Sequence, residues 1–388
     1  MDSLRDLFLL DPDVHFLNHG SFGAAPRPVM AAYQAWQMRL ERQPVQFIVT
    51  DLPGLLQQAR EALGGYLRAP AADLVFVPNA TFGVNVVARS LALQPGDEIL
   101  ASDHEYGACE NAWALVCRKT GAVYKQQPIP LPAATPEEMV AQFWQGVTPR
   151  TKVIFLSHIT SPTALTLPVT AVCARAREAG ILTLVDGAHA PGQLPLNLPE
   201  LGADFYTGNC HKWMMAPKGA AFLYTRPERQ ALLEPLVVSW GYGDNWGFSF
   251  GSQYLDYLQW WGTKDPAAAL AVPAAIEFMA EHDWERVQAR CHTLARETAQ
   301  RIGALTGLSP LYPDDGYVQL AAMELPTGVD TAVLKQRLYD EYRVEIPLIQ
   351  WQGRKLIRLS VQGYNTQEDM EALVNALTEL LPQGMKIK

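Results

Sequence analysis

The stretch Ala203-Asp204-Phe205-Tyr206-Thr207-Gly208-Asn209-Cys210-His211-Lys212-Trp213 runs from a hydrophobic, strand-like segment into a turn that carries a lysine. Just upstream, Ile181-Leu182-Thr183-Leu184-Val185-Asp186 is a second strand-like run. It ends in a carboxylate, followed by Gly187-Ala188-His189. Short apolar runs bounded by polar turns read as strands of a buried sheet. In α/β folds ligands bind beyond the carboxyl ends of such strands, where Asp186 and Lys212 fall. The same texture recurs outward in both directions. Leu74-Val75-Phe76-Val77 reads as a strand, Pro78-Asn79-Ala80-Thr81 as a turn, and Val84, Val87, Ala88 and Leu91 fall at helical spacing after it. Residues 98–101 and 153–157 read as further strands, and 170–178 as the crossover helix into the Asp186 strand. Thr135-Pro136-Glu137-Glu138 combines a cap, a first-turn proline and a glutamate three residues on, a helix start. Alternating strands and helices imply an α/β fold with a mainly parallel central sheet flanked by helices.

After Trp261 the texture becomes alanine-rich and amphipathic, with a long helix expected over 286–305. Residues 318–320, 344–346 and 356–359 look like strands of a second, smaller sheet, and 366–381 like a last helix. We therefore place a domain boundary near residue 264. Residues 1–264 comprise an N-terminal segment and a large domain, and 265–388 a smaller α+β domain.

The 388 residues are 48% hydrophobic and 18% charged, with a net charge of −9 and a pI near 5.4. That balance argues against a nucleic-acid or anionic-membrane partner. No apolar run approaches the roughly 20 residues of a membrane span. The N-terminal Met1-Asp2-Ser3-Leu4-Arg5-Asp6 lacks the basic flank and apolar core of a signal peptide. The five cysteines, Cys109, Cys117, Cys173, Cys210 and Cys291, are scattered without a CxxC pair. Such a set is expected of reduced thiols in a cytoplasmic protein.

A carboxylate at one strand end and a lysine at the next suit pyridoxal 5'-phosphate. The lysine forms a Schiff base with its aldehyde, and the aspartate keeps a proton on the pyridine nitrogen, so that the ring can accept electrons. Other short motifs lie in a telling order: Asn18-His19-Gly20-Ser21-Phe22-Gly23, Asn79-Ala80-Thr81, Asp186-Gly187-Ala188-His189, His211-Lys212-Trp213, Gly262-Thr263 and Arg358-Leu359-Ser360. Together they resemble the class V group of fold-type I pyridoxal-phosphate enzymes over nearly the whole chain. The similarity is greatest to the isopenicillin N epimerase-like branch.

The resemblance implies a large cofactor-binding domain, a smaller C-terminal domain, an amino-acid-like substrate and a homodimer with shared active sites. It makes Lys212 the cofactor lysine and general base, and Asp186 the partner of the ring nitrogen. Ala80 and Thr81 are expected to cradle the phosphate at a helix start, with Asn209 and His211 in the same cluster. His189 stands where many relatives carry glutamine near the ring hydroxyl. Tyr106 stands where desulfurases usually stack a histidine on the cofactor, and its phenol makes it a candidate second proton carrier. Arg358 matches the arginine that grips the substrate carboxylate. Asn18, His19 and Gly20 are expected on the substrate side, and Gly262 and Thr263 at the neighbouring subunit's phosphate. Each residue has a plainer reading. Lys212 would be a solvated loop lysine, Asp186 and Asn79 helix caps, His189 and Tyr106 buried structural groups, and Arg358 half of a surface ion pair.

The sequence offers two other chemistries. Gly247-Phe248-Ser249-Phe250-Gly251 fits the G-x-S-x-G of serine hydrolases, with His282 and His292 downstream, but a loop-like Gly241-Tyr242-Gly243-Asp244 replaces the strand that a nucleophile elbow requires. His15 and His19 lack a third metal ligand. Within the family, a desulfurase needs a cysteine in the segment before the Arg358 strand. Residues 342–355 contain none, and the last cysteine is Cys291. That segment reads instead as a short loop able to wall a pocket with Trp351, with Trp213, Trp240 and Trp246 as further walls. The resemblance implies removal of the α-proton. Its branch alone points to epimerisation afterwards, with β-elimination at a C–S bond or transamination as the alternatives.

Overall fold

Parallel strands covered on both faces need continuous apolar runs; four of the seven strands of the large sheet are buried along their whole length, and two more at all but one position. The computed structural model describes residues 3–243 and 249–381. In chain order the strands are β1 (Leu74–Val77), β2 (Glu98–Ser102), β3 (Val123–Gln127), β4 (Thr151–Ser157), β5 (Leu182–Asp186), β6 (Phe205–Asn209) and β7 (Ala221–Thr225). They lie side by side as β1-β7-β6-β5-β4-β2-β3. β7 runs antiparallel to both β1 and β6, and the other pairs are parallel. β3 escaped the sequence reading because, at the sheet edge, Val-Tyr-Lys-Gln-Gln is half exposed and has no apolar run.

Local chemistry sets the helices between them. Asn79 caps α1 (Ala80–Ser90) by accepting the Phe82 N–H. α2 (Gly107–Thr120) ends on Gly121, whose φ of 77° suits glycine. The Thr135 and Glu138 side chains form the expected reciprocal cap. In the register of β5 against β6, Asp186 lies opposite Thr207. The carboxylate and the turn bearing Lys212 therefore leave the sheet at the same end.

The smaller sheet holds β8 (Leu320–Leu325), β9 (Leu348–Trp351) and β10 (Arg354–Ser360), antiparallel in the order β9-β10-β8. α3 (Trp284–Thr306) packs against β8, and α4 (Gln367–Leu380) against α3. Two expectations need correction. Val344–Glu345 is not in this sheet but pairs in parallel with His15–Phe16. The segment read as a loop instead forms the β9–β10 hairpin. Gln352 and Gly353, with φ of 49° and 76°, make the two-residue left-handed turn that such hairpins favour.

The N-terminal segment crosses to the C-terminal part of the chain. Leu4 N–H donates to Gly363 O at 3.1 Å, His15 to Arg343 O at 2.9 Å and Leu17 to Glu345 O at 2.9 Å, while Ser360 N–H returns to Leu17 O at 3.0 Å. Residues 3–17 are thus tied to residues 343–363. Beyond them, His19–Phe22 passes over the Lys212 turn. Gly23 there, at φ 73°, has no room for a Cβ, which would run into the His211 carbonyl. No helix among the described residues is long and apolar enough to cross a membrane.

Candidate active site

A cleft of about 530 Å³ opens at the carboxyl ends of β4, β5 and β6, and Lys212 lies in it. Lys212 Nζ is 3.2 Å from His189 Nε2. Desolvation first, then the nearby Arg358 charge, lower the lysine pKa to about 7. Its amine can therefore be neutral, and nucleophilic, near neutral pH.

Asp186 is 3% exposed. One carboxylate oxygen accepts the Ala188 N–H at 2.9 Å, and the other, among the described residues, has only the Cys109 thiol at 3.5 Å. Burial raises its pKa, against the pull of the Ala188 N–H and Lys212. A buried carboxylate with one poorly satisfied oxygen suits a cationic N–H donor. Beneath it Glu105 is buried and accepts from Ser102 Oγ and from the Ser157 N–H and hydroxyl, at 2.8 and 2.6 Å. Burial pushes the Glu105 carboxyl up to about 8 despite these donors.

The start of α1, where the phosphate cradle is expected, is held by two side chains. The Ala80 N–H is taken by the Asn209 side-chain oxygen at 2.8 Å, and the Phe82 N–H by Asn79. Ala80 and Asn209 thus fix the start of α1, which consumes the Ala80 N–H but leaves the Asn209 side-chain NH2 and the start of α1 at Thr81. Its N–H has no partner among the described residues, and Thr81 lines the cleft at the positive end of an 11-residue helix. His211 also lines the cleft but donates its Nδ1–H to Ala220 O at 3.0 Å. Burial, then Lys212, lower its pKa to about 4. Nε2 can donate to a phosphate only once the ring is protonated, which a dianion favours. Lys218, beside it, donates to Gly23 O at 2.9 Å.

At the other end Arg358 is 5% exposed. Nη1 donates to Ser161 O at 2.6 Å, and Nη2 to Ser21 Oγ at 3.2 Å. Its Nε has no partner among the described residues. Burial lowers its pKa to about 10, which leaves it charged at neutral pH. Ser21 and Ser161 line the cleft, so the guanidinium lies just behind its wall. Ser21 in turn donates to Asn18 Oδ1 at 2.5 Å, so Asn18 supports the arginine's hydroxyl partner. Tyr106 lines the same cleft and is 45% exposed, and its hydroxyl has no hydrogen-bond partner among the described residues.

Several expected residues do not reach the cleft. His19 is fully buried and bonds Tyr364 Oη and the Lys212 carbonyl, each at 3.0 Å. It braces the lysine turn. Gly20 packs against Leu320, Ser360 and Trp213. Gly262 and Thr263 lie outside this chain's cleft, and Thr263 is exposed. Trp213 is buried core, Trp240 is 71% exposed, and Trp246 lies outside the described residues. Trp351 donates to Asp103 O at 2.9 Å and lines a neighbouring cleft that shares Tyr106. The hydrolase reading fails on geometry. The Ser249 hydroxyl bonds Asp256, while His282 and His292 donate to the Phe278 and Val318 carbonyls. Residues 247 and 248 of that motif lie outside the described residues. No metal-binding cluster occurs among the described residues. Sequence reading assigned no role to Ser21, Ser161, Lys218 or Glu105. Ser21 sat inside a quoted motif, but Ser161 and Glu105 carry no local signal.

The chain matches the family model described as aminotransferase class-V over residues 24–373. It is 40% identical over 388 residues to an isopenicillin N epimerase of Amycolatopsis lactamdurans, covering 97% of both chains. The isopenicillin N epimerase of Streptomyces clavuligerus is 36% identical, covering 98% of both. A putative L-cysteine desulfhydrase of Oryza sativa subsp. japonica is 29% identical, covering 95% of this chain and 83% of its own. Among solved structures, a cysteine desulfurase from Escherichia coli superposes with a TM-score of 0.81 at 25% identity, over 99% of this chain and 98% of that one. A cystine C–S lyase does so with a TM-score of 0.82 at 22% identity, over 96% and 99%.

Proposed function

Because this chain belongs to the class V aminotransferase family of pyridoxal-phosphate enzymes, we propose that it removes and returns the α-proton of an amino acid or amino-acid derivative as an epimerase. The observation that carries the reading is a buried lysine amine and an unbonded phenol in one cleft: Lys212, with its lowered pKa, and Tyr106, whose hydroxyl has no hydrogen-bond partner among the described residues. The greater identity to epimerases than to desulfhydrases supports the same choice.

The residues fit the cofactor. Asp186 has an oxygen held only by the long Cys109 contact for the ring nitrogen, Thr81 a helix-terminal N–H for the phosphate, and Lys212 an amine for the aldehyde. When bound, pyridoxal phosphate supplies an electron sink for the pair left on the α-carbon. Arg358 binds the substrate carboxylate through the guanidinium edge that its Nε leaves unused, which fixes the orientation of the Cα–H bond. Lys212 takes the α-proton as general base. Asp186 keeps the proton on the pyridine nitrogen. Tyr106 delivers a proton from the second side, directly or through water, because a phenol both donates and accepts. With the cofactor bound, His189 would supply a contact to the ring oxygen, and His211 would join Thr81 in holding the phosphate.

We propose further that the active enzyme is a homodimer. The exposed Thr263, and exposed apolar side chains such as Phe22 (73%), Met38 (69%) and Val238 (67%), support this, with Thr263 meeting the partner's phosphate. A cytoplasmic setting is supported by five cysteines that are all free. The test is product analysis on a panel of amino acids in deuterated solvent. Inverted, α-deuterated product supports the reading, and Tyr106→Phe should slow inversion more than exchange. Release of pyruvate, ammonia and sulfide without inversion supports instead a C–S lyase, the reading favoured by the desulfhydrase relatives.

A further inference from the structure

Trp213 follows Lys212 directly and is fully buried against the His19 ring, 5.0 Å between centroids. Its indole Nε1 lies 3.2 Å from His189 Nδ1. The other nitrogen of the same imidazole, Nε2, lies 3.2 Å from Lys212 Nζ. An indole N–H only donates, so the nitrogen facing it must offer a lone pair. A neutral histidine then carries its proton on Nε2. The doubly protonated ring is excluded twice over. It would set Nδ1–H against the indole N–H, and it would place a charge in a pocket where His189 is 2% exposed and faces Lys212, Arg358 and His19. The rest follows from donor counting. An ammonium has donors only, so a histidine N–H facing Lys212 is compatible only with a neutral amine that accepts. The other groups bearing on that amine are Arg358, which disfavours its charge, and Asp186 and Cys109, which favour it.

We propose that Trp213 is a positioning residue that holds His189 in the Nε2–H tautomer, so that a fixed N–H donor faces the Lys212 amine and the cofactor's ring oxygen. One turn of chain thereby carries both the lysine and the group that sets the lysine's neighbour. The part concerning the ring oxygen rests on the cofactor reading above. The tautomer itself does not, because it is a property of the cofactor-free protein.

The test is nitrogen NMR of the cofactor-free protein with ¹⁵N-labelled histidine, the His189 signal being assigned by its loss in His189→Gln. Across neutral pH, Nε2 should show the shift of a protonated ring nitrogen and Nδ1 that of a bare one. A proton on Nδ1, or on both nitrogens, overturns the proposal. In Trp213→Phe the signal should become a mixture of tautomers. After pyridoxal phosphate is added, the pH midpoint of the visible absorbance should move by roughly half a unit to one unit, the size of one neutral hydrogen bond. An unchanged tautomer and midpoint in that variant also overturn it. Should Trp213→Phe not fold, the tautomer in the parent protein decides alone. If the parent develops no visible absorbance with pyridoxal phosphate, the cofactor reading falls while the tautomer result stands.

Discussion

The Asn209 side-chain oxygen accepts the Ala80 N–H at 2.8 Å, joining the end of β6 to the first turn of α1. Three residues before the lysine, the chain thus fixes the helix terminus that we propose meets the phosphate. Asn209→Ala leaves a buried N–H without an acceptor, which costs about 1–3 kcal/mol. Denaturant unfolding of the cofactor-free protein should show that loss, and pyridoxal phosphate should bind more weakly. Asn209→Asp keeps the acceptor but adds a charge near the phosphate, so affinity should fall while stability is largely held. Equal stability of parent and Asn209→Ala would remove this bond from the account.

Attachment of the cofactor should follow the titration of Lys212. Only the deprotonated amine attacks an aldehyde, and burial beside Arg358 brings its pKa down to about 7. The reactive form is therefore present above about 7 and lost below it, rather than appearing only near the ordinary lysine value of about 10.4. Mixing cofactor-free protein with pyridoxal phosphate across pH, the rate of absorbance growth near ~420 nm should rise through neutrality and then level off. A rate still climbing at pH ~10 contradicts the lowered pKa. Borohydride trapping should place the label on Lys212, and Lys212→Ala should trap none.

Arg358→Lys removes a planar donor pair while keeping the charge. Replacing a bidentate, charge-assisted contact by a point contact should cost about 1.5–3 kcal/mol, or ~10- to ~100-fold in kcat/KM, mainly through KM. Ser21→Ala, which removes one orienting partner of the guanidinium, should cost less. An unchanged KM in Arg358→Lys would put the substrate carboxylate elsewhere.

No cysteine is expected to take part in turnover. Cys109, Cys173, Cys210 and Cys291 are buried, and burial raises the pKa of all five thiols. A variant with all five replaced by alanine or serine should keep most of its turnover, provided that it folds. Loss of turnover with the cofactor still bound would identify a participating thiol, with Cys109 beside Asp186 the first to examine.

Shared active sites predict complementation. Lys212→Ala and Thr263→Ala subunits, each impaired alone, should regain activity when mixed and re-equilibrated. In the mixed dimer one site combines an intact Lys212 with an intact Thr263. A parent protein that is monomeric and fully active at micromolar concentration rules this out.

What was legible in the sequence was whatever local pattern carries. The apolar runs of β1, β4, β5 and β6 announce a buried sheet, and strand ends bearing Asp186 and Lys212 announce where chemistry sits, because buried strands leave polar function to their termini. The Thr135 cap and the long helix α3 are local as well. Contacts between distant segments left no such trace. That His19 braces the Lys212 carbonyl rather than touching substrate depends on a crossing 193 residues away in the chain. Ser161 meets Arg358 across 197 residues. The hairpin of β9 and β10 was missed because Gln352-Gly353 is a weaker turn signal than Asn-Gly. Composition and periodicity determined the sheet, the lysine and the aspartate. Only tertiary structure decided which donors remain free for a ligand, because a hydrogen bond made elsewhere in the fold, as between Ala80 and Asn209, spends a group that sequence alone would offer to the phosphate.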